Sequence, residues 1–274
     1  MISSGTVLAF AISMLCTLVL PVVALVILLI KKKVNPLPLT LGFASFFISQ
    51  MILRIPLLQL TGGMAWMQAL MQNMVLYMIL IGGLSAGLFE ETARLVGASL
   101  LKRNRTYKDM ISFGLGHGLC EVILLIGFGQ VNNLLVCWIA ANPDKAGAFG
   151  LGGDALQLVI QQIAATNAAS VYLALVERVS ALIYHLFATC LVFMAVKNKK
   201  PILYFAAVAA HTVFNAGAGL LMILLQSYLN PVAAGAIAEA VLFAAILPAG
   251  LFVYAKRKSF DALPTVAQSS MEES

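Results

Sequence analysis

Seven stretches of this chain, residues 6–30, 37–60, 74–101, 110–131, 176–196, 201–226 and 232–255, are each long enough and apolar enough to cross a membrane. A helix needs roughly 20 such residues to cross the hydrocarbon layer of a bilayer. The expected fold class is therefore all-α: a polytopic membrane helix bundle of about seven transmembrane helices, with the lipid bilayer as its solvent. Composition points the same way, with 61% hydrophobic and 10% charged residues and a mean hydropathy of +0.97. These values lie outside the range of soluble domains, so soluble classes are excluded.

The net charge of +6 reads as topology, and no nucleic-acid partner is expected. Lys31, Lys32 and Lys33 follow the first apolar run, Lys102, Arg103, Arg105 and Lys108 the third, Lys197, Lys199 and Lys200 the fifth, and Lys256, Arg257 and Lys258 the seventh. All these clusters share one parity, and of the other basic residues only Lys145 lies in a loop of the opposite parity. Basic residues accumulate on the cytoplasmic side. The N-terminus is thus expected outside and the C-terminus in the cytosol. The first run lacks a basic leader and exceeds a signal-peptide core, so it reads as a retained span.

Residues 155–196 are long enough for two crossings, but two would place "KNKK" (197–200) outside. Gln157, Gln161, Gln162 and Asn167 also make 155–175 polar for a span, so an interfacial or re-entrant helix is expected there. "TGGMAWMQALMQN" (61–73) is a candidate for a second such segment, and the Gly-rich 141–154 reads as a turn. Cys16, Cys120, Cys137 and Cys190 lack disulfide or zinc-knuckle spacing and read as packing residues. One integral-membrane domain, 1–258, is expected, followed by a disordered cytoplasmic tail at 259–274 with too little apolar content to fold alone.

Polar groups inside the hydrocarbon layer are costly and mark bundle interiors or wet cavities. Counted inward from the basic clusters at 1.5 Å per residue, Glu90 and Glu91 lie about 17 Å deep, His117 about 12 Å, Glu121 and His185 about 18 Å and His211 about 16 Å. Four different spans thus bring charged or imidazole side chains to one depth. Three i,i+4 pairs aim both members from one helix face: Glu90 with Arg94, His117 with Glu121, and His211 with Asn215. Arg54, Glu177, Arg178 and Glu239 count to the outer edge, at about 25–31 Å.

Imidazole and carboxylate are ligands of zinc-like ions, and a catalytic site keeps about three protein ligands and one open position. His117, Glu121, His185 and His211 are the expected metal ligands, and a divalent ion, zinc above all, the expected cofactor. Such an ion also relieves the burial of Glu90, Glu91 and Glu121 as anions. Arg94 is expected as structural support that neutralises Glu90; which of Glu90 and Glu91 serves the site stays open. The small-xxx-small spacings Gly83/Gly87 and Gly114/Gly118 predict close helix packing around these residues.

Together, "FEETAR", "GLGHGLCE", "ERVSALIYH" and "HTVFN" resemble the YhfC family of bacterial membrane proteins. The resemblance covers about residues 85–220. That family is similar to the CAAX-protease and bacteriocin-processing (Abi) superfamily of intramembrane metalloproteases, whose patterns are EExxxR, FxxxH and HxxxN. The resemblance implies that Glu90 and His117 activate water, that His211 and Asn215 steady the oxyanion, and that the protein sits in a bacterial plasma membrane. Two departures stand out. "EETAR" is one residue shorter than EExxxR, which moves Arg94 round the helix, and Glu121 and His185 are additional.

The expected function is metal-dependent cleavage of membrane-associated or membrane-spanning peptides near the cytoplasmic half of the bilayer, with Glu90 or Glu91 taking the water's proton. Two alternatives stay open at this point: an inactive scaffold that binds transmembrane segments, and an ion-coupled transporter, against which stands the lack of paired repeat halves.

Overall fold

The computed structural model describes residues 2–101, 105–149 and 153–262. Among the described residues, seven helices are long and apolar enough to span: Ser4–Ile30, Pro36–Thr61, Met74–Leu100, Tyr107–Ala141, Ala168–Lys197, Ile202–Gln226 and Pro231–Lys258. No strand occurs among the described residues. The chain is a multi-pass membrane protein. Its fifth span is the hub: 61% of its apolar window is buried, against 11–28% for the other six.

Side-chain caps start several of the helices. Ser3 accepts from the Thr6 N–H, Thr106 and Asp109 form a capping box at the fourth span, and Asn167 accepts from the Ala169 N–H at the fifth. The first and fifth spans are followed by Lys32 and Lys199, each at φ 52°, the left-handed conformation that stops a helix.

π-helical turns interrupt the first four spans at Leu15–Val19, Phe47–Arg54, Met78–Ser85 and Val122–Gly127. The first two run up to Pro21 and Pro56, whose rings clash with the carbonyl four residues back, and a wider turn relieves that clash. The other two abut the buried polar layer: one ends shortly before Glu90 and the other begins right after Glu121. Such turns are frequent at functional sites.

Between the fourth and fifth spans the polar segment forms the separate helix Gly153–Ala164, which at 12 residues is too short to cross. Its Ile160 and Ile163 pack onto Phe10 and Val171 of the first and fifth spans. Ala65–Met71 is a second short helix, between the second and third spans. The fourth span is longer than expected and reaches Ala141, because "QVNN" (130–133) lowers hydropathy without a helix breaker before Pro143. At 35 residues it is about 52 Å long, more than the hydrocarbon layer needs.

The seventh helix likewise continues to Ala262, four residues into the segment expected as disordered. Phe260 is fully buried, its carbonyl accepts from Lys197 Nζ at 2.7 Å, and Asp261 accepts from the Tyr107 N–H at 2.6 Å. Tertiary contacts thus hold what local composition could not. Residues 263–274, the rest of the expected tail, lie outside the described residues, as do Lys102 and Arg103. All four cysteines are free thiols.

Candidate metal centre

Close helix crossings assemble the site. A Cβ on Gly116 would lie 2.0 Å from the Leu39 carbonyl oxygen, and one on Gly42 2.0 Å from that of Phe113. Only glycine permits the second and fourth spans to cross so tightly. The predicted small-residue pairs face other partners. Gly83 and Gly87 pack on Thr212 and His211 of the sixth span, and Gly114 and Gly118 on Leu186 and His185 of the fifth. The glycines therefore bring four histidine- or glutamate-bearing spans into side-chain reach.

On the third span, Glu90 is 5% exposed and Glu91 is fully buried. Glu90 Oε1 accepts from Gln50 Nε2 at 2.9 Å, and its Oε2 lies 3.0 Å from His117 Nε2. Glu91 Oε1 accepts from Arg94 Nη1 and, at 2.7 Å, from His211 Nδ1. Arg94, also fully buried, reaches Glu90 Oε2 at 3.4 Å and His185 Nδ1 at 2.5 Å through Nη2. A guanidinium only donates, so His185 Nδ1 is the acceptor. The ring proton then sits on Nε2 and goes to Glu121 Oε2 at 2.6 Å. Glu121 Oε1 receives Arg178 Nη1 at 2.6 Å, and Arg178 also pairs with Glu177.

Several expectations change with this geometry. The expected Glu90–Arg94 pair is the longer contact, and Glu91 is the main partner of Arg94, because the i,i+3 carboxylate meets the guanidinium first. His117 and Glu121 share a helix face but turn to different neighbours, Glu90 and His185. Arg54 and Arg178 belong to the network although their backbones count to the outer edge: Arg54 Nη1 holds Gln50 Oε1 at 3.1 Å, one helical turn closer to Glu90. Long side chains span the difference. Gln50, Ser45 and Tyr184 were not singled out in the sequence, since single polar residues in an apolar run carry no spacing signal. The Gln50/Arg54 i,i+4 pair was the one cue available.

The donors closest together are one atom each from Glu90, His117 and His185, all buried and all within 4.8 Å of one another. This group contains two of the four expected ligands. Glu121 is turned toward Arg178, and His211 is held by Glu91 and stands 3.8 Å from Glu90 Oε1 through Nε2. A cavity of about 170 Å³ adjoins the group, lined by Glu90, Glu121, His185, His211 and Asn215.

The donor set suits a zinc-like ion, being one carboxylate and two imidazoles. Electrostatics agree. Glu90, Glu91, Glu121 and Glu177 face Arg54, Arg94 and Arg178, four carboxylates against three guanidiniums, an arrangement that favours a cation. Glu91 Oε2 is moreover buried with no hydrogen-bond partner among the described residues.

A family model described as the YhfC intramembrane metalloprotease matches residues 16–235. The chain is also 34% identical over 143 residues to the "Uncharacterized membrane protein YhfC" of Bacillus subtilis (strain 168), a match that covers 51% of this chain and 55% of that relative. The chain thus spans little more than half the length of the relative it matches. No solved structure matches. With a family match across most of its length and seven spans that enclose a buried carboxylate–imidazole cluster, the chain belongs to the YhfC intramembrane metalloprotease family.

Proposed function

We propose that this protein is a metal-dependent endopeptidase that cleaves membrane-associated or membrane-spanning peptides, with its lysine-rich helix ends in the cytoplasm. The observation that carries the reading is the buried Glu90–His117–His185 group beside a cavity that His211 and Asn215 also line. These three residues would hold the ion, zinc by its ligand chemistry, with His185 offering the Nδ1 lone pair that Arg94 caps here while its Nε2 proton stays hydrogen-bonded to Glu121. When bound, the ion supplies Lewis-acid polarisation of a carbonyl and a lowered pKa for water.

The protein's own groups account for the remaining tasks. His211 Nδ1–H donates a hydrogen bond to Glu91, which leaves Nε2 free to accept a proton from water and return it to the leaving amine. The role expected of Glu90 or Glu91 as proton acceptor falls in this reading to the Glu91–His211 pair. Asn215, on the cavity wall, donates its amide to the developing oxyanion. Arg94 balances Glu90 and Glu91, and Glu121 orients His185.

An apolar groove of about 520 Å³ between the second and third spans supports approach through the bilayer. Its wall includes Ala44, Ser45, Ile48, Phe89 and Ala93, and Ser45 touches His117. The test compares membrane-peptide profiles of cells that produce the wild-type protein or the His211→Ala variant. New peptide ends confined to the wild type support the activity, and identical profiles contradict it.

A further inference from the structure

His117 is fully buried, and its two ring nitrogens meet different neighbours. Nε2 is 3.0 Å from Glu90 Oε2, within the donor group described above, and Nδ1 is 2.8 Å from Ser45 Oγ. Ser45 has one hydroxyl proton, and its oxygen also stands 2.7 Å from the Gly42 carbonyl. A carbonyl only accepts, so the serine proton is committed to Gly42, in the back-bonding pattern common for serine inside helices. Toward His117, Ser45 Oγ is then an acceptor. We propose that Ser45 is a positioning residue that keeps a proton on His117 Nδ1 and so directs the Nε2 lone pair at the ion shared with Glu90 and His185.

The packing explains why this contact forms. Gly42 and Gly116, one on each span, permit the tight crossing that sets Ser45 beside His117. Phe46 fixes the imidazole from another side, edge-on at a centroid distance of 5.2 Å. Ser45 also lines the largely apolar groove between the second and third spans. A ligand imidazole whose second nitrogen donates to a fixed oxygen has its tautomer and ring plane set in advance, and loss of such a partner weakens metal binding roughly 10–100-fold.

The inference rests on the proposed function, because without an ion the Glu90 carboxylate, which only accepts, would hold the proton on His117 Nε2. The full-length protein, labelled with ¹⁵N-histidine and reconstituted in lipid nanodiscs, gives three imidazole signals, and the one lost in His117→Gln identifies His117. The zinc-loaded wild type is expected to carry a proton on His117 Nδ1. Ser45→Ala is expected to leave that proton without a partner, which moves the Nδ1 signal, and to weaken zinc binding roughly 10–100-fold in a direct titration. Ser45→Thr, which restores the hydroxyl, is expected to keep both wild-type values and serves as the folded control. A bare Nδ1 in the zinc-loaded wild type, or a Ser45→Ala protein with unchanged Nδ1 signal and zinc affinity, overturns the proposal. Absence of zinc binding in the wild type would instead overturn the metal centre itself, and the role of Ser45 with it.

Discussion

The imidazole of His211 and the carboxylate of Glu91, 120 residues apart in sequence, share an Nδ1–H to Oε1 hydrogen bond of 2.7 Å across the third and sixth spans. Glu91 is fully buried and outside the compact donor group, so its charge serves His211 and Arg94 rather than the ion. Glu91→Gln keeps the shape and removes the charge that holds the imidazole. Peptide cleavage is expected to fall at least about 100-fold, the scale of a lost acid–base contribution, while zinc content measured by elemental analysis stays at the wild-type value.

Arg94 bridges Glu91, Glu90 and His185 with no exposed surface. Arg94→Ala leaves two adjacent buried carboxylates without their cation, a change that costs about 3–5 kcal/mol. Thermal unfolding in detergent should show a large loss of stability. Arg94→Lys should recover part of it, because one ammonium restores the charge but not the planar fork that meets three partners.

The crossing of the second and fourth spans supplies a backbone test. Gly116→Ala would drive its Cβ to 2.0 Å from the Leu39 carbonyl, whereas a Cβ at Gly129 on the same span meets nothing within 4 Å. The expected result is a poorly stable Gly116→Ala protein and a Gly129→Ala protein with wild-type thermal stability. Equal behaviour of the two would mean that the spans do not cross this closely.

Much of this architecture was legible in the sequence. Lengths of apolar runs set seven spans, and the charge at 197–200 resolved 155–196 into one crossing and a short helix. Depth counting brought Glu90, Glu91, His117, Glu121, His185 and His211 to one layer, where the structure joins them in one network. The partner of each side chain was not legible, since spacing along a helix fixes a face but not which neighbour that face meets. His117 and Glu121 illustrate this, and so does Arg94, which sits nearer Glu91 than Glu90. Ser45 was hidden for a related reason: its contact with His117 depends on the crossing set by Gly42 and Gly116, which no local pattern announces.

Glu121 holds His185 Nε2 at 2.6 Å and Arg178 at 2.6 Å but is outside the compact donor group. Glu121→Gln is therefore expected to weaken zinc binding roughly 10–100-fold without abolishing it, as removal of a ligand's supporting partner does. A titration with zinc alone measures this. Complete loss of binding would instead make Glu121 a ligand, as the sequence had suggested.

Elemental analysis of purified, monodisperse protein tests the metal centre most directly. The account predicts one zinc per chain in the wild type, and none in His117→Ala or His185→Ala proteins that keep wild-type helicity. A wild type devoid of metal, or the same stoichiometry in all three proteins, would contradict it.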